Sequence, residues 1–116
     1  MDRIHFSQLV DEALERLPRA FKDNLKNIVV IVENSPEPEL QDEFAGLLLG
    51  LFRGIPKTHQ SVSWPTLPAQ IVLYQNNIEA VCRNDTEVAR QIEKTLKHEI
   101  GHYFGLSERD LRKRGY

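Results

Sequence analysis

The sequence predicts an α+β domain in which amphipathic helices near both ends of the chain pack against three strand-like segments. Three observations carry this reading. A β-branched run, Ile28-Val-Val-Ile-Val32, is bounded by turn-forming Asn34-Ser-Pro-Glu-Pro38. A second apolar run, Gln70-Ile-Val-Leu-Tyr74, follows a proline-rich stretch. From Asn84 onward, apolar residues recur at Val88, Ala89, Ile92, Leu96, Ile100 and Tyr103, the period of a helix buried along one face. With 116 residues there is room for one domain and little more, so residues 1–116 are expected to form a single unit.

Taken in order, Ser7 can cap a first helix reaching about Leu25, with Leu9, Val10, Ala13, Leu14, Leu17 and Phe21 at helical spacing. Pro18 should split it, because its ring excludes a helix interior. The Ile28–Val32 run reads as a strand buried on both faces. Glu37 to Glu43 reads as an acidic loop. Leu47 to Ile55 is a second strand, and its glycines and the following Pro56 suit an edge position. Lys57 to Pro68 reads as a loop, Gln70–Tyr74 as the third strand, and Asn76-Asn77 as the turn into a short helical piece ending near Cys82. Asn84-Asp-Thr-Glu87 can cap the long helix, and Gly105 should end it with a left-handed residue. Ser107 to Arg114 can form one more short helix.

Composition narrows the possible functions. Lys and Arg number 15 against 17 Asp and Glu, a net charge of -2, which is no footprint for nucleic acid or an anionic membrane. The longest apolar stretch, Phe44 to Phe52, falls far short of the roughly 20 residues a bilayer requires. The first residues show no basic cluster ahead of an apolar run, so no secretory leader is expected. Cys82 is the single cysteine, excluding an intrachain disulfide and a cysteine-only zinc site. A cytoplasmic protein is expected.

The chemistry is concentrated in His98-Glu99-Ile100-Gly101-His102, the pattern H-E-x-x-H. Residues four apart on a helix stand one turn above each other, so both imidazoles can converge on one ion. Zinc accepts imidazole and a tetrahedral ligand set. Glu99, projecting beside the pair, can take a proton from a metal-activated water. The motif alone is only moderately specific. Its placement adds weight, because His98 and His102 point away from the Val88–Tyr103 apolar stripe and so are not expected in the core.

A catalytic zinc needs a third protein ligand. On an uninterrupted helix Glu108 would lie about 15 Å beyond His98. A chain reversal at Gly105 would return it to the histidines, and glycine has the backbone freedom for that reversal. Glu108 is the expected third ligand, with Asp110 and His59 as rivals. Elsewhere, Tyr103 should be a packing residue, His5 and Tyr116 solvated, and Cys82 a small buried hydrophobe.

The string His98-Glu-Ile-Gly-His-Tyr-Phe-Gly-Leu-Ser-Glu108 resembles the zincin metallopeptidases, and more narrowly the small one-domain bacterial "minimal zincins". The similarity extends over an amphipathic N-terminal helix, a Val/Ile strand and a Leu-Leu-Gly-Leu-Phe-x-Gly-x-Pro segment at residues 48–56. In that family an aspartate commonly stands where this chain has Glu108. Metzincin membership is not implied, because Met1 is the only methionine available for a methionine turn. The resemblance implies a small three- to four-stranded mixed sheet. Its antiparallel edge strand, Leu47–Ile55, would border the cleft, with Ile71–Tyr74 beside it and Ile28–Val32 further in. It also implies one zinc ion on His98, His102 and Glu108, and hydrolysis of a peptide or protein substrate with Glu99 activating water. With only 14 residues after His102, the lower wall of the cleft is expected to be nearly absent. A protein partner completing the cleft, or a metal-stabilised binding domain without strong activity, is the alternative.

Overall fold

The computed structural model describes residues 1–54 and 68–116. In chain order these form α1 (Arg3–Glu15), α2 (Arg19–Lys22), β1 (Ile28–Glu33), α3 (Pro38–Gln41), β2 (Gly50–Arg53), β3 (Ala69–Tyr74), α4 (Gln75–Ala80), α5 (Asp85–Tyr103) and α6 (Glu108–Lys113). The expected α+β architecture is present, with a three-stranded mixed sheet ordered β1-β3-β2.

The first helix starts earlier than its sequence suggests. Asp2, not Ser7, is the cap, accepting the His5 amide at 2.7 Å, and Ser7 lies inside the helix. The buried stripe is therefore Phe6, Val10, Ala13 and, just beyond the helix, Leu17. Pro18 does divide the segment: α1 ends at Glu15 and Pro18 stands at the N-cap of α2. Its fixed φ and missing N–H suit the start of a helix and no later position.

β1 pairs in parallel with β3, from Ile28 opposite Ala69 to Glu33 opposite Tyr74. β2 pairs antiparallel on the other side, with Gly50 opposite Leu73 and Arg53 opposite Gln70. The antiparallel edge strand is thus where it was expected, though shorter than Leu47–Ile55; Ile55 lies outside the described residues. The reading of β1 as buried on both faces is corrected, because β1 is itself an edge of the sheet and Val29 is 46% exposed. The most buried strand is β3, where only Gln70 is partly exposed and Ile71, Val72, Leu73 and Tyr74 have no accessible surface. A central strand is flanked on both sides, and this separates two apolar runs that look alike in sequence.

α1 and α5 cover one face of the sheet, and Phe6, Val10, Ile71, Leu73, Ile92, Leu96 and Ile100 form the shared core. The acidic segment after β1 is not simply a loop, since Pro38 opens the single-turn α3. Gln41 at its end then fixes the chain leading into β2. Its amide donates to the Gly46 carbonyl at 2.7 Å, and its Oε1 accepts from the Leu48 N–H at 3.0 Å and from Asn77 at 3.1 Å. No helix among the described residues is long and apolar enough to cross a membrane.

Candidate metal centre

α5 is built as its sequence implies. The Asn84 side chain accepts the Glu87 amide at 2.9 Å, and the Glu87 carboxylate accepts from the Arg83 N–H at 3.1 Å. Val88, Ile92, Leu96, Ile100 and Tyr103 are buried, while His98 and His102 remain partly exposed on another face. Tyr103 is a packing residue, its ring 5.8 Å from Phe52 and 5.7 Å from Phe104.

The helix ends in a Schellman turn. The Leu106 N–H reaches the Gly101 carbonyl and the Gly105 N–H the His102 carbonyl, both at 2.9 Å, with Gly105 at φ 86°. A side chain would be strained there, so glycine makes the reversal possible. Ser107 then caps α6 in a capping box: the Asp110 N–H bonds to Ser107 Oγ at 3.2 Å, and Asp110 Oδ2 accepts the Ser107 N–H at 3.1 Å. The two turns together bring Glu108 back over α5.

There Glu108 Oε1 lies 3.1 Å from His98 Nε2 and 2.8 Å from His102 Nε2. Asp110, the rival in sequence, is occupied in the capping box, and those hydrogen bonds with Ser107 hold its carboxyl below the usual aspartate value. His59, the other rival, lies outside the described residues. Burial alone would raise the Glu108 carboxyl, but hydrogen bonds from His98 and His102 outweigh it and the net shift is downward.

The donor set suits a cation. His102 Nδ1 lies 3.1 Å from the Leu106 carbonyl and Nε2 2.8 Å from Glu108 Oε1, and both oxygens accept, so only a protonated ring donates to both. A neutral ring protonated at Nδ1 leaves the Nε2 lone pair aimed at the Glu108 carboxylate. Two acceptors face each other at 2.8 Å, an arrangement that repels unless a proton or a metal ion lies between them. Around a tetrahedral metal with bonds of about 2.0–2.1 Å, neighbouring donor atoms stand roughly 3.3 Å apart. The spacing is already close to that, and the Leu106 carbonyl supplies the orienting second hydrogen bond that metal-bound histidines use.

Glu99 is only 7% exposed, and donor atoms of His98, Glu99 and His102 fall within 4.8 Å of one another, a candidate metal site. Burial pushes the Glu99 carboxyl above its ordinary value, and Glu108 adds to this; the two histidines and a Phe52 backbone hydrogen bond pull the other way. A groove of about 770 Å³ opens onto this cluster, with residues 44–52 along one side and the Gln91–His102 face of α5 along the other. α5 and β2 approach closely at Gly50, where an added Cβ would lie 2.7 Å from Thr95 Cγ2 and 3.5 Å from Glu99 Cγ.

Three contributors were not singled out in sequence. Gln41 pins the groove wall, Leu111 anchors α6, and Lys94 extends the histidine face. Lys94 was accessible to the same reasoning as His98, since it stands four residues before it. Tyr116 is half-buried with its ring 6.3 Å from Phe21, where a solvated side chain was expected. His5 is exposed and Cys82 partly buried beside the core.

A helix presenting His-Glu-x-x-His against a mixed sheet with an antiparallel edge strand is the architecture of a zincin-type metal-binding domain. The chain matches the zincin-like metallopeptidase family over residues 25–116 and belongs to it. It is similar to the structure of a conserved hypothetical protein from T. thermophilus, with 26% identity and a TM-score of 0.60, covering 97% of this chain and 99% of that one. The search of curated proteins gave no match.

Proposed function

We propose that this protein is a zinc-dependent peptidase in which His98, His102 and Glu108 hold one zinc ion and Glu99 is the general base. The observation that carries the reading is the convergence of both histidine Nε2 atoms on one Glu108 oxygen beside a buried fourth group, Glu99. Zinc held there supplies a Lewis acid and lowers the pKa of a coordinated water toward about 7. Glu99 takes the proton released as water attacks the peptide carbonyl and returns it to the leaving amine. Burial of Glu99 holds its carboxyl beside the histidines and away from bulk water. An extended substrate lies along the edge of β2 that is unpaired among the described residues, adding its backbone hydrogen bonds to that strand. A single cysteine suits a reducing, cytoplasmic setting.

A second reading has its own support. The same ligand set ties α5 to α6, so the metal would serve a purely structural purpose if the groove held a protein partner without cleaving it. Elemental analysis of the purified protein, then hydrolysis of an unstructured protein with and without chelator, tests the peptidase reading. Stoichiometric zinc with chelator-sensitive cleavage is expected. Zinc without any cleavage would leave the binding domain.

A further inference from the structure

The groove carries a second set of groups, away from the metal end. Five large hydrophobic side chains are exposed among the described residues, and two of them, Phe44 at 43% and Leu47 at 49%, line this groove. They are not loose: Gln41 hydrogen-bonds to Gly46 and Leu48 on either side of Leu47. From α5, the groove takes Gln91, Lys94 and Thr95 ahead of His98. Lys94, His98 and His102 stand at four-residue intervals and share one face of the helix, placing Lys94 about 6 Å along the axis from the first histidine.

Lys94 is the only Lys or Arg among the described groove residues, and the groove's two carboxylates, Glu99 and Glu108, both belong to the metal end. It is exposed and makes no ion pair or hydrogen bond among the described residues. The nearby Glu93 is engaged elsewhere, 3.4 Å from Lys97 and 3.8 Å from Arg16. Lys94 therefore lines the same groove as the apolar Phe44 and Leu47, on the helix face of the histidines, and is unpaired among the described residues; on its other side it borders a smaller hollow with Glu93 and Tyr116.

The geometry points to a substrate subsite at Lys94 that selects a carboxylate, with Phe44 and Leu47 seating a large apolar side chain of the same peptide. This rests on the peptidase reading and names its substrate class. An extended chain advances about 3.3 Å per residue, so the carboxylate falls roughly two residues from the bond presented to the metal. It comes from an Asp or Glu side chain or from the substrate's own C-terminus, which offer the same chemistry. Charge complementarity of this kind acts chiefly on selectivity, and an exposed pair gives modest factors, on the order of tenfold when attraction is replaced by repulsion.

The test uses zinc-loaded full-length protein and extended peptides differing only in Glu, Gln or Lys two residues from the central bond, each made as free acid and as C-terminal amide. Wild-type protein should favour Glu over Lys on the order of tenfold in kcat/KM. Lys94→Gln should level the preference and Lys94→Glu should invert it, with zinc content unchanged in both. Phe44→Ser and Leu47→Ser should weaken all the peptides while sparing their ranking by charge. A preference confined to the free acids assigns the carboxylate to the substrate terminus. The same peptides, fluorescently labelled, are titrated onto zinc-loaded Glu99→Gln protein as a second readout. Binding that inverts with Lys94→Glu, without any cleavage by wild type, would sink the peptidase reading and leave the subsite standing. An unchanged charge preference in Lys94→Glu, or no selective binding at all, overturns the subsite.

Discussion

Leu111 occupies the space that a side chain at Gly101 would need: a Cβ on Gly101 would lie 2.2 Å from Leu111 Cδ2. Leu111 is fully buried, so α6 is seated on α5 through this contact. The same short helix carries Glu108. A glycine inside the histidine motif and a leucine beyond it thus help set where the Glu108 carboxylate stands.

Gly101→Val should therefore weaken zinc binding while both histidines and both glutamates remain. The valine must displace the Leu111 side chain, and because Leu111 is fully buried the displacement is expected to tilt α6. Loss of groups that orient metal ligands commonly lowers affinity about 10–100-fold, and that range is expected here. Competition against a chromophoric chelator gives the value. Wild-type affinity in this variant would mean that Leu111 can move aside without disturbing Glu108.

Gly105→Val acts on the same carboxylate from the turn. At φ 86° a branched residue is strained, at a cost of about 1–2 kcal/mol. The variant should melt earlier and bind zinc more weakly. A structure of the variant with the turn unchanged and Glu108 still against both histidines would remove the expected loss of affinity.

The two glutamates should fail differently. On the proposed roles Glu99→Gln removes the base but no ligand, so zinc content should stay stoichiometric while hydrolysis falls by about 10²–10⁴-fold. Glu108→Ala removes the carboxylate that meets both histidines, so zinc is lost first. Metal content and turnover are measured on both proteins. Zinc lost from Glu99→Gln and kept by Glu108→Ala would reverse the assignment.

Chelation should lower the melting temperature. Metal bound only by the native state at a hundred times its dissociation constant contributes about 2.7 kcal/mol. The gain should be unevenly spread, with amide exchange rising first over residues 105–116. That segment meets α5 through Leu111 and the helix-end turn, and α2 through the Tyr116 ring against Phe21. Identical melting of apo and zinc-saturated protein would show that no such link forms.

The ligand helix was legible because its signals are local: an Asn84 cap, a sustained apolar period and a glycine stop. Glu108 was legible for the same reason, since the turn that returns it is encoded in Gly105 and Ser107. What escaped depends on partners distant in sequence. Val29 resembles a buried strand residue until β3 is seen to have neighbours on both sides and β1, among the described residues, only one. Ser7 is a good capping residue, but Asp2 lies ahead of it, and helix formation uses the earlier start. Gln41, in what reads as an acidic loop, becomes a fixed point only when Leu48 and Asn77 are brought to it.

His98, His102 and Glu108 all come from the single stretch of chain 98–108. The β1–β3 pairing, by contrast, joins Ile28 to Ala69. Closing a loop costs entropy that grows with its length, so chelating an ion through these three residues demands little from the rest of the polypeptide. An unfolded chain would keep part of that grip, trimming the stabilisation that metal gives the native state. An ion held by the proposed ligands could be captured before the sheet exists, with the helix-end turn as its template. On the proposed ligand set, metal uptake and strand pairing are separable events in the assembly of this protein, and refolding rates should respond to zinc as well as the melting temperature.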